Sequence, residues 1–166
     1  MKRVRYTGQI IALLAAVVGA VSCAPPFPKE VLEKTDRNIS FRDLRENPEK
    51  YKGTWVMVGG IIVDAKSMKE GSYLEVLQKA LDSRGRPLRT DATEGRFLVF
   101  SEKFLDPAVY PRGRAISVVA EVAGKRVLPL GDIEYQYPLL NAKAIRLWEP
   151  YTGPTFHFGI GVFHQF

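Results

Sequence analysis

Five short, β-prone apolar runs constrain the fold of this chain more than any other feature. They cover residues 55–63, 72–81, 96–101, 115–123 and 139–148, and the segments between them are rich in Gly, Pro, Asp and Arg. In the fourth run, AISVVAEVA, apolar side chains alternate with Ser117 and Glu121. This alternation is the period of a strand with one buried face. The runs therefore predict a mainly β domain.

Two local patterns narrow the architecture. Gly59 and Gly60 interrupt the first run, and such a pair favours the bulge or sharp bend that small barrels need at corners. Ser40 followed by Asp43 predicts a short capped helix, which ends at the Asn-Pro step before Pro48. Together these features predict a small, OB-like, five-stranded, partly open barrel with a short N-terminal helix. A β-sandwich is the alternative fold.

The first 22 residues have the layout of a cleavable export signal. A cationic start, MKRVR, precedes an almost wholly apolar run over residues 10–21. That run is shorter than the roughly 18–20 apolar residues that a stable membrane-spanning helix needs. Residues 1–22 are therefore predicted to be a signal peptide and are excluded from the fold.

Cys23 is the only cysteine in the chain and directly follows this segment. In an exported protein an unpaired thiol requires an explanation. The small residues Ala20, Val21 and Ser22, with a Pro-rich exit after the cysteine, resemble the bacterial lipobox. The resemblance implies a covalent diacylglyceryl group on Cys23, cleavage before it and an N-acyl chain on the new amino terminus, with no other cofactor. The alternative is ordinary cleavage near Ala20 or Ser22, which leaves a free thiol.

The remaining chain divides into three parts. Residues 23–39 are predicted to be the lipidated cysteine and an extended linker, because the prolines of APPFPKE favour polyproline geometry. Residues 40–150 form the predicted β-barrel domain, and residues 151–166 are an aromatic and Gly-rich tail. In lipoproteins an aspartate after the cysteine retains the product at the inner membrane, whereas Ala24 follows here. The resemblance therefore implies the periplasmic face of a Gram-negative outer membrane.

Basic side chains form two clusters in the predicted domain. Residues 1–22 contain three of the 24 basic side chains and none of the 18 acidic ones, which leaves a net charge of +3 after cleavage. The clusters comprise Arg84, Arg86 and Arg89 in one loop and Arg112 and Arg114 in another. Such clusters can bind phosphate or other polyanions, or serve solubility alone. Anionic lipid headgroups or lipopolysaccharide beside the anchor are the expected polyanions.

An OB-type barrel also offers a face for binding oligosaccharides or nucleic acid. The exported location favours an envelope glycan or glycolipid, and no nucleic acid partner is expected. The residues predicted to stack on or pair with such a ligand are Tyr73, Arg96, Tyr135 and Tyr137, together with Arg84 and Arg86. Ordinary barrel surface is the alternative interpretation of these aromatic side chains.

The sequence gives little support for catalysis or for a metal site. The two histidines, His157 and His164, lie in the tail without another soft ligand. Neither a Gly-x-Ser-x-Gly elbow nor a phosphate-binding glycine motif occurs. Asp132 and Glu134 form a close acidic pair, but LPLGDIEYQYP predicts an exposed loop rather than a catalytic dyad. We therefore predict a non-catalytic protein without a metal.

The tail over residues 155–166, TFHFGIGVFHQF, alternates large apolar and small residues and ends in Phe166. Its length is close to the roughly 9–11 residues of a membrane-spanning β-strand. A single strand cannot close a barrel, and an open edge in lipid leaves backbone groups unsatisfied. An amphipathic strand added to the domain or its partner, or an interfacial aromatic anchor, is preferred over insertion.

The order of several motifs resembles the Slp family of outer-membrane lipoproteins. After the lipobox come NPxxYxG at 47–53, VGGII at 58–62, YLEV at 73–76, GRFL at 95–98, FLDPxxY at 104–110 and LW at 147–148. FLDPxxY is the most distinctive of them. The resemblance implies an outer-membrane lipoprotein linked to starvation or stress, with no established catalytic activity and no catalytic residues. The expected partners are the membrane, through the anchor, and other envelope proteins.

Overall fold

A computed structural model of the protein describes residues 25–150. Helix α1 (Lys29–Leu32), helix α2 (Phe41–Glu46) and a 3-10 helix (Pro48–Tyr51) come first. The strands are β1 (Trp55–Met68), β2 (Gly71–Gln78), β3 (Arg96–Ser101), β4 (Ala115–Leu130) and β5 (Ile133–Leu147). Within the described range, no helix has the length and apolar composition that crossing a bilayer requires. The predicted signal peptide, Cys23 and the 155–166 segment lie outside this range.

The five strands close into one barrel in the order β1-β2-β3-β5-β4, with β4 pairing back onto β1. All neighbours are antiparallel except β3 and β5, whose parallel pairing runs from Leu98 opposite Leu139 to Phe100 opposite Asn141. This arrangement confirms the predicted five-stranded OB-type barrel and excludes the sandwich. The barrel is closed rather than partly open, because the short β3–β5 pairing completes the ring.

Strand β1 pairs with two neighbours, and the two pairings overlap at Gly60. Its first half pairs with β4 and its second half with β2, and Gly60 stands opposite Ile116 on one side and Gln78 on the other. A Cβ added at Gly60 would overlap the carbonyl oxygen of Leu77. The backbones of β1 and β2 therefore meet at a distance that only glycine permits. A bulge or bend was predicted at the glycine pair, and the structure has a register irregularity just beyond it, after Ile62.

The long β4–β5 hairpin is the largest departure from the sequence prediction. Residues 128–138, expected to form an exposed loop, are the end of β4 and the start of β5, joined by a turn at Gly131 and Asp132. Gly131 adopts a φ of 60°, the left-handed region that a tight hairpin turn uses. The loop prediction was wrong because Pro129 and Pro138 lie within the strands, where proline is unusual.

The hydrophobic core fills the barrel and continues under α2. Phe41 and Leu44 of α2 are buried, and the Phe41 ring lies 5.6 Å from that of Phe97 on β3. The predicted cap is confirmed, since Ser40 Oγ accepts a hydrogen bond of 3.1 Å from the backbone N–H of Asp43. The barrel supplies further fully buried side chains, among them Ile62, Leu74, Val76, Val99, Ile116, Val118, Val122 and Leu140.

Residues 25–39 pack against the barrel instead of extending from it as a free linker. Phe27 is only 4% exposed, and α1 begins two residues later. The carbonyl oxygen of Pro26 accepts a hydrogen bond of 3.2 Å from Arg146 Nη1. The prolines indicated an extended chain, but burial of the Phe27 ring stabilises docking, by about 2 kcal/mol for a fully buried aromatic side chain.

Candidate functional site

The β4–β5 hairpin contacts the outer face of β2 and β3 and brings four predicted ligand residues together. Arg96 Nη1 lies 2.6 Å from Glu75 Oε1, and the Tyr137 hydroxyl donates to the same carboxylate oxygen at 3.1 Å. The Tyr135 hydroxyl accepts a 3.0 Å hydrogen bond from the backbone N–H of Arg96. The rings of Tyr135 and Tyr137 meet edge to face at 4.7 Å. Tyr73, also on β2, lies at the margin of this cluster.

Glu75 accepts hydrogen bonds from both Arg96 and Tyr137, although it is not among the predicted ligand residues. Its hydrogen bond raises the pKa of Arg96 above the ordinary arginine value. Burial, followed by the Glu75 carboxylate, raises the pKa of Tyr137, so this hydroxyl keeps its proton and donates it to Glu75 at neutral pH. The alternation in SYLEVLQ already placed Glu75 on the same face as Tyr73.

Most of this cluster fastens the hairpin to the barrel. Tyr137 is 2% exposed, so its ring is not open to a ligand in this structure. Tyr73 is half-buried, and the Arg126 guanidinium lies 5.0 Å from its ring centre, a cation–π distance. Both residues line a cleft of about 180 Å³, which is the part of the predicted surface that can admit a ligand. The other lining residues are Asp64, Lys66, Met68, Glu75, Leu98 and Leu128.

Arg84 and Arg86 do not join this cluster. They lie in the β2–β3 loop, at the end of the barrel where β4 begins and β5 ends. The Arg86 guanidinium lies 5.6 Å from the Trp148 ring centre and donates to the Glu149 carbonyl at 3.0 Å. A groove of about 700 Å³ separates this loop from the segment that leads into β4. Its charged lining residues are Lys79, Arg86, Arg89, Asp91, Arg112, Arg114 and Glu149, with a formal net charge of +3.

The cations of this groove differ in their burial and in the number of hydrogen bonds they donate to the rest of the domain. Lys79 is 8% exposed, and its Nζ donates to three carbonyls of residues 90–92 at 2.8 to 3.3 Å. Arg114 Nη2 lies 3.6 Å from Glu149 Oε1, while its buried Nε has no hydrogen-bond partner in the part of the chain described. Arg112 is exposed. Lys79 therefore shapes the groove, and the two arginines present donor groups to it.

At this same end, two hydrogen bonds link Trp148, which follows β5, to Ser117 on β4 and to the β2–β3 loop. Trp148 Nε1 donates to Ser117 Oγ at 2.8 Å, and the Ser117 hydroxyl donates to the Gly85 carbonyl at 2.5 Å. Pro26 packs on Gly85 so closely that a Cβ there would lie 2.9 Å from the proline ring. The chain therefore enters the domain beside Pro26 and leaves it beside Trp148, at one end of the barrel.

The other residues considered from the sequence have no shared site in the described range. Asp132 and Glu134 are exposed on the hairpin. Within residues 25–150, no group of three or more His, Cys, Asp or Glu side chains could hold a metal ion. The predicted lipobox, the predicted lipid attachment site and the two histidines fall outside the described range. These residues are Ala20, Val21, Ser22, Cys23, His157 and His164.

The fold and these surfaces define a small OB-type barrel with a narrow aromatic cleft and, at another place on its surface, a basic groove. The chain belongs to the outer membrane lipoprotein Slp family, which matches residues 20–159. This finding confirms the family predicted from the motifs and identifies an outer membrane lipoprotein.

Individual relatives are distant in sequence. Outer membrane protein Slp of Escherichia coli K12 is 26% identical over 141 residues, which cover 85% of this chain and 74% of that protein. An uncharacterized protein of Haemophilus influenzae is 28% identical over 144 residues, covering 85% and 77%. The uncharacterized lipoprotein YeaY of E. coli is 27% identical over 101 residues, covering 61% and 52%.

One solved structure is also similar. It is the mitochondrial single-stranded DNA binding protein Rim1 of S. cerevisiae, with a TM-score of 0.33 and 18% identity, covering 58% of this chain and 95% of that one.

Proposed function

We propose that the protein is a lipid-anchored, non-catalytic contact module on the periplasmic face of the outer membrane. Membership of the family supports the membrane location, and the lipobox-like residues before Cys23 support the anchor. One observation carries the proposal furthest: the chain is already packed on the barrel at Pro26, three residues after Cys23. An acylated Cys23 would therefore anchor the folded domain directly.

The length of the connection sets how the domain would be held. Pro25, the first described residue, lies two positions after Cys23, and two extended positions span at most about 7 Å. The barrel would therefore lie on the bilayer surface. Two or three acyl chains hold a protein firmly, whereas one chain binds only marginally.

The polar cluster on β2, β3 and β5 supports a non-catalytic role. Catalytic acids and bases must reach a substrate in an open cleft. In this cluster the Glu75 carboxylate forms an ion pair with Arg96 and accepts a hydrogen bond from Tyr137, and these contacts hold the β4–β5 hairpin against β2 and β3. The arrangement therefore favours a structural role for the Glu75 and Arg96 ion pair.

Mass spectrometry of the protein extracted from membranes tests the proposed anchor. We expect the amino-terminal peptide to begin at Cys23 and to carry the mass of a diacylglyceryl group and one N-linked acyl chain. If the lipid is covalently attached, the diacylglyceryl group and the N-linked acyl chain should both be found on Cys23. A mature chain whose Cys23 thiol is unmodified would remove the anchor and the proposed function with it.

The cleft beside Tyr73 favours a second candidate function, binding of an envelope glycan. A half-buried tyrosine next to Arg126 offers a stacking face and a cation to a sugar ring bearing an acid group. We expect Tyr73→Ala to weaken the binding of an acidic oligosaccharide at least about tenfold in calorimetric titration, while Arg42→Ala, an exposed control, has no effect. Equal affinities for the two variants, or no binding by the unmodified chain, would contradict this function.

A further inference from the structure

We propose that one end of the barrel docks on the phosphate groups of an anionic lipid leaflet. This surface, the basic end, is defined by Arg84, Arg86, Arg112, Arg114 and Arg146. The inferred orientation rests on the proposed lipid anchor, whereas the affinity of the basic end for anionic lipid is a property of the folded chain alone.

The charge of the basic end is available to an external anion. The guanidinium groups of Arg84 and Arg112 are exposed and have no hydrogen-bond or ion-pair partner within residues 25–150. Arg114 is partly exposed, and its Nη2 lies 3.6 Å from the exposed carboxylate of Glu149. A phosphate oxygen accepts such donors in the geometry that arginine provides.

The acidic side chains at this end do not cancel that charge. One Asp82 carboxylate oxygen accepts the backbone N–H groups of Arg84 and Arg86, each at 2.8 Å. Asp91 and Glu149 also line the groove, and Glu149 is paired with Arg114 at 3.6 Å. The groove therefore keeps its formal net charge of +3.

The position of the anchor identifies the occupant as a membrane. Pro26 contacts both Gly85 in the β2–β3 loop and Arg146 on β5. Acyl chains attached at Cys23 would therefore enter the bilayer beside the basic end, because about 7 Å of chain separates them from Pro25. Cations held at such a surface are attracted to anionic lipid headgroups.

Apolar side chains interleave with these cations as they do in proteins that bind membrane interfaces. The guanidinium carbons of Arg86 and Arg146 lie 5.6 and 4.5 Å from the centre of the Trp148 ring. Leu88 lines the groove with 40% of its surface exposed, and Val109, three residues before Arg112, is 54% exposed. Arginine, tryptophan and exposed aliphatic residues together suit the headgroup region of a bilayer.

Vesicle flotation with the full mature chain carrying Cys23→Ser tests this surface without the acyl anchor. The probes are vesicles of phosphatidylcholine alone and vesicles with one-third phosphatidylglycerol. We expect binding to the anionic vesicles only, weakening as salt rises because surface charges are screened. The double variant Arg84→Glu with Arg112→Glu should bind at least about 25-fold more weakly, because each lost cation costs about fivefold.

A matched control carries the same change of charge elsewhere. Lys50→Glu with Lys125→Glu reverses two exposed lysines, and Lys125 lies ten residues along β4 from its start, about 33 Å of strand. This control should bind like the unmodified chain. Equal weakening of the two double variants while both keep their circular dichroism and melting temperature would overturn the proposal. Equal binding to neutral and anionic vesicles, or no binding to either, would also overturn it.

Energy transfer in the acylated protein tests which face of the barrel lies on the bilayer. A fluorophore on Pro111→Cys, beside the groove, should transfer energy to an acceptor lipid more efficiently than one on Asp132→Cys at the hairpin turn. The reverse order would show that another face lies on the bilayer. Failure of the mass-spectrometric test would remove the anchor, while the flotation result would still decide whether the basic end binds lipid.

Discussion

Replacement of Gly60 by alanine is expected to destabilise the barrel by about 3 kcal/mol, the upper end of the cost of overpacking a well-packed interior. The added Cβ would overlap the Leu77 carbonyl oxygen and lie 2.7 Å from its carbon. These are backbone atoms of a paired strand, so no side-chain rotation can make room. Relief requires β1 and β2 to separate where β1 also pairs with β4, which would open the barrel.

Gly131→Ala is the matched control for this prediction. Gly131 also has a restricted backbone, with a φ of 60°, but nothing lies within 4 Å of its missing Cβ. Alanine there should cost only about 1–2 kcal/mol, the strain of a left-handed residue. Urea unfolding of the mature chain, followed by circular dichroism, measures both effects. Similar losses at Gly60 and Gly131 would show that the approach of β1 to β2 is not what requires glycine.

The barrel was predictable because its strands carry local signals that agree with their tertiary role. In the run containing Ser117, the alternating apolar residues face the core as predicted, but Ser117 and Val119 on the other face are also buried, because further parts of the chain cover that face. The requirement for glycine at Gly60 can also be inferred locally, since a glycine in an apolar strand indicates close approach of another backbone. The Ser40 cap depends on a residue only three positions away. Each of these features can be inferred without knowing the strand order.

The hairpin extension and the docked amino-terminal segment could not be predicted in this way. Residues 124–138 extend beyond the barrel core, so much of their surface is exposed and no clear alternation marks them as strands. Phe27 is buried next to Pro26, which contacts both the β2–β3 loop and Arg146 on β5, and these contacts depend on the whole topology. Local propensity indicated extended chain, and tertiary contact decided the outcome.

The candidate ligand residues show the same division. Arg96, Tyr135 and Tyr137 lie together around Glu75, and Tyr73 lines the cleft beside the same carboxylate, while a ligand for them stays a prediction. Their exposure was not predictable, because it depends on how the hairpin folds back over β2. Arg84, assigned to the same surface, lies instead in the loop beside Pro26. The two basic loops border one groove only because β2 and β4 flank the same strand, β1.

After a wash in 1 M salt, Cys23→Ala is expected to be almost completely in the soluble periplasmic fraction, whereas the unmodified chain stays on the membrane. Each methylene of a buried acyl chain contributes about 0.8 kcal/mol, so the loss of two or three chains exceeds any contribution of the barrel surface. The small residues Ala20 and Ser22 also suit ordinary signal peptidase, which can release the variant. The comparison therefore uses the form of the Cys23→Ala variant whose mass shows that the signal peptide has been removed.

The wash conditions separate the anchor from the charged surface. Binding through arginines weakens as salt screens them, with a Debye length of about 3 Å at 1 M, whereas acyl chains are insensitive to salt. After a wash in 1 M salt, the unmodified chain and Arg84→Glu with Arg112→Glu should both stay on the membrane, and processed Cys23→Ala should leave it. Retention of that processed variant through the wash would mean that a protein segment holds the barrel at the membrane. The 155–166 segment would then be the first candidate for that role, because its aromatic residues suit the interface.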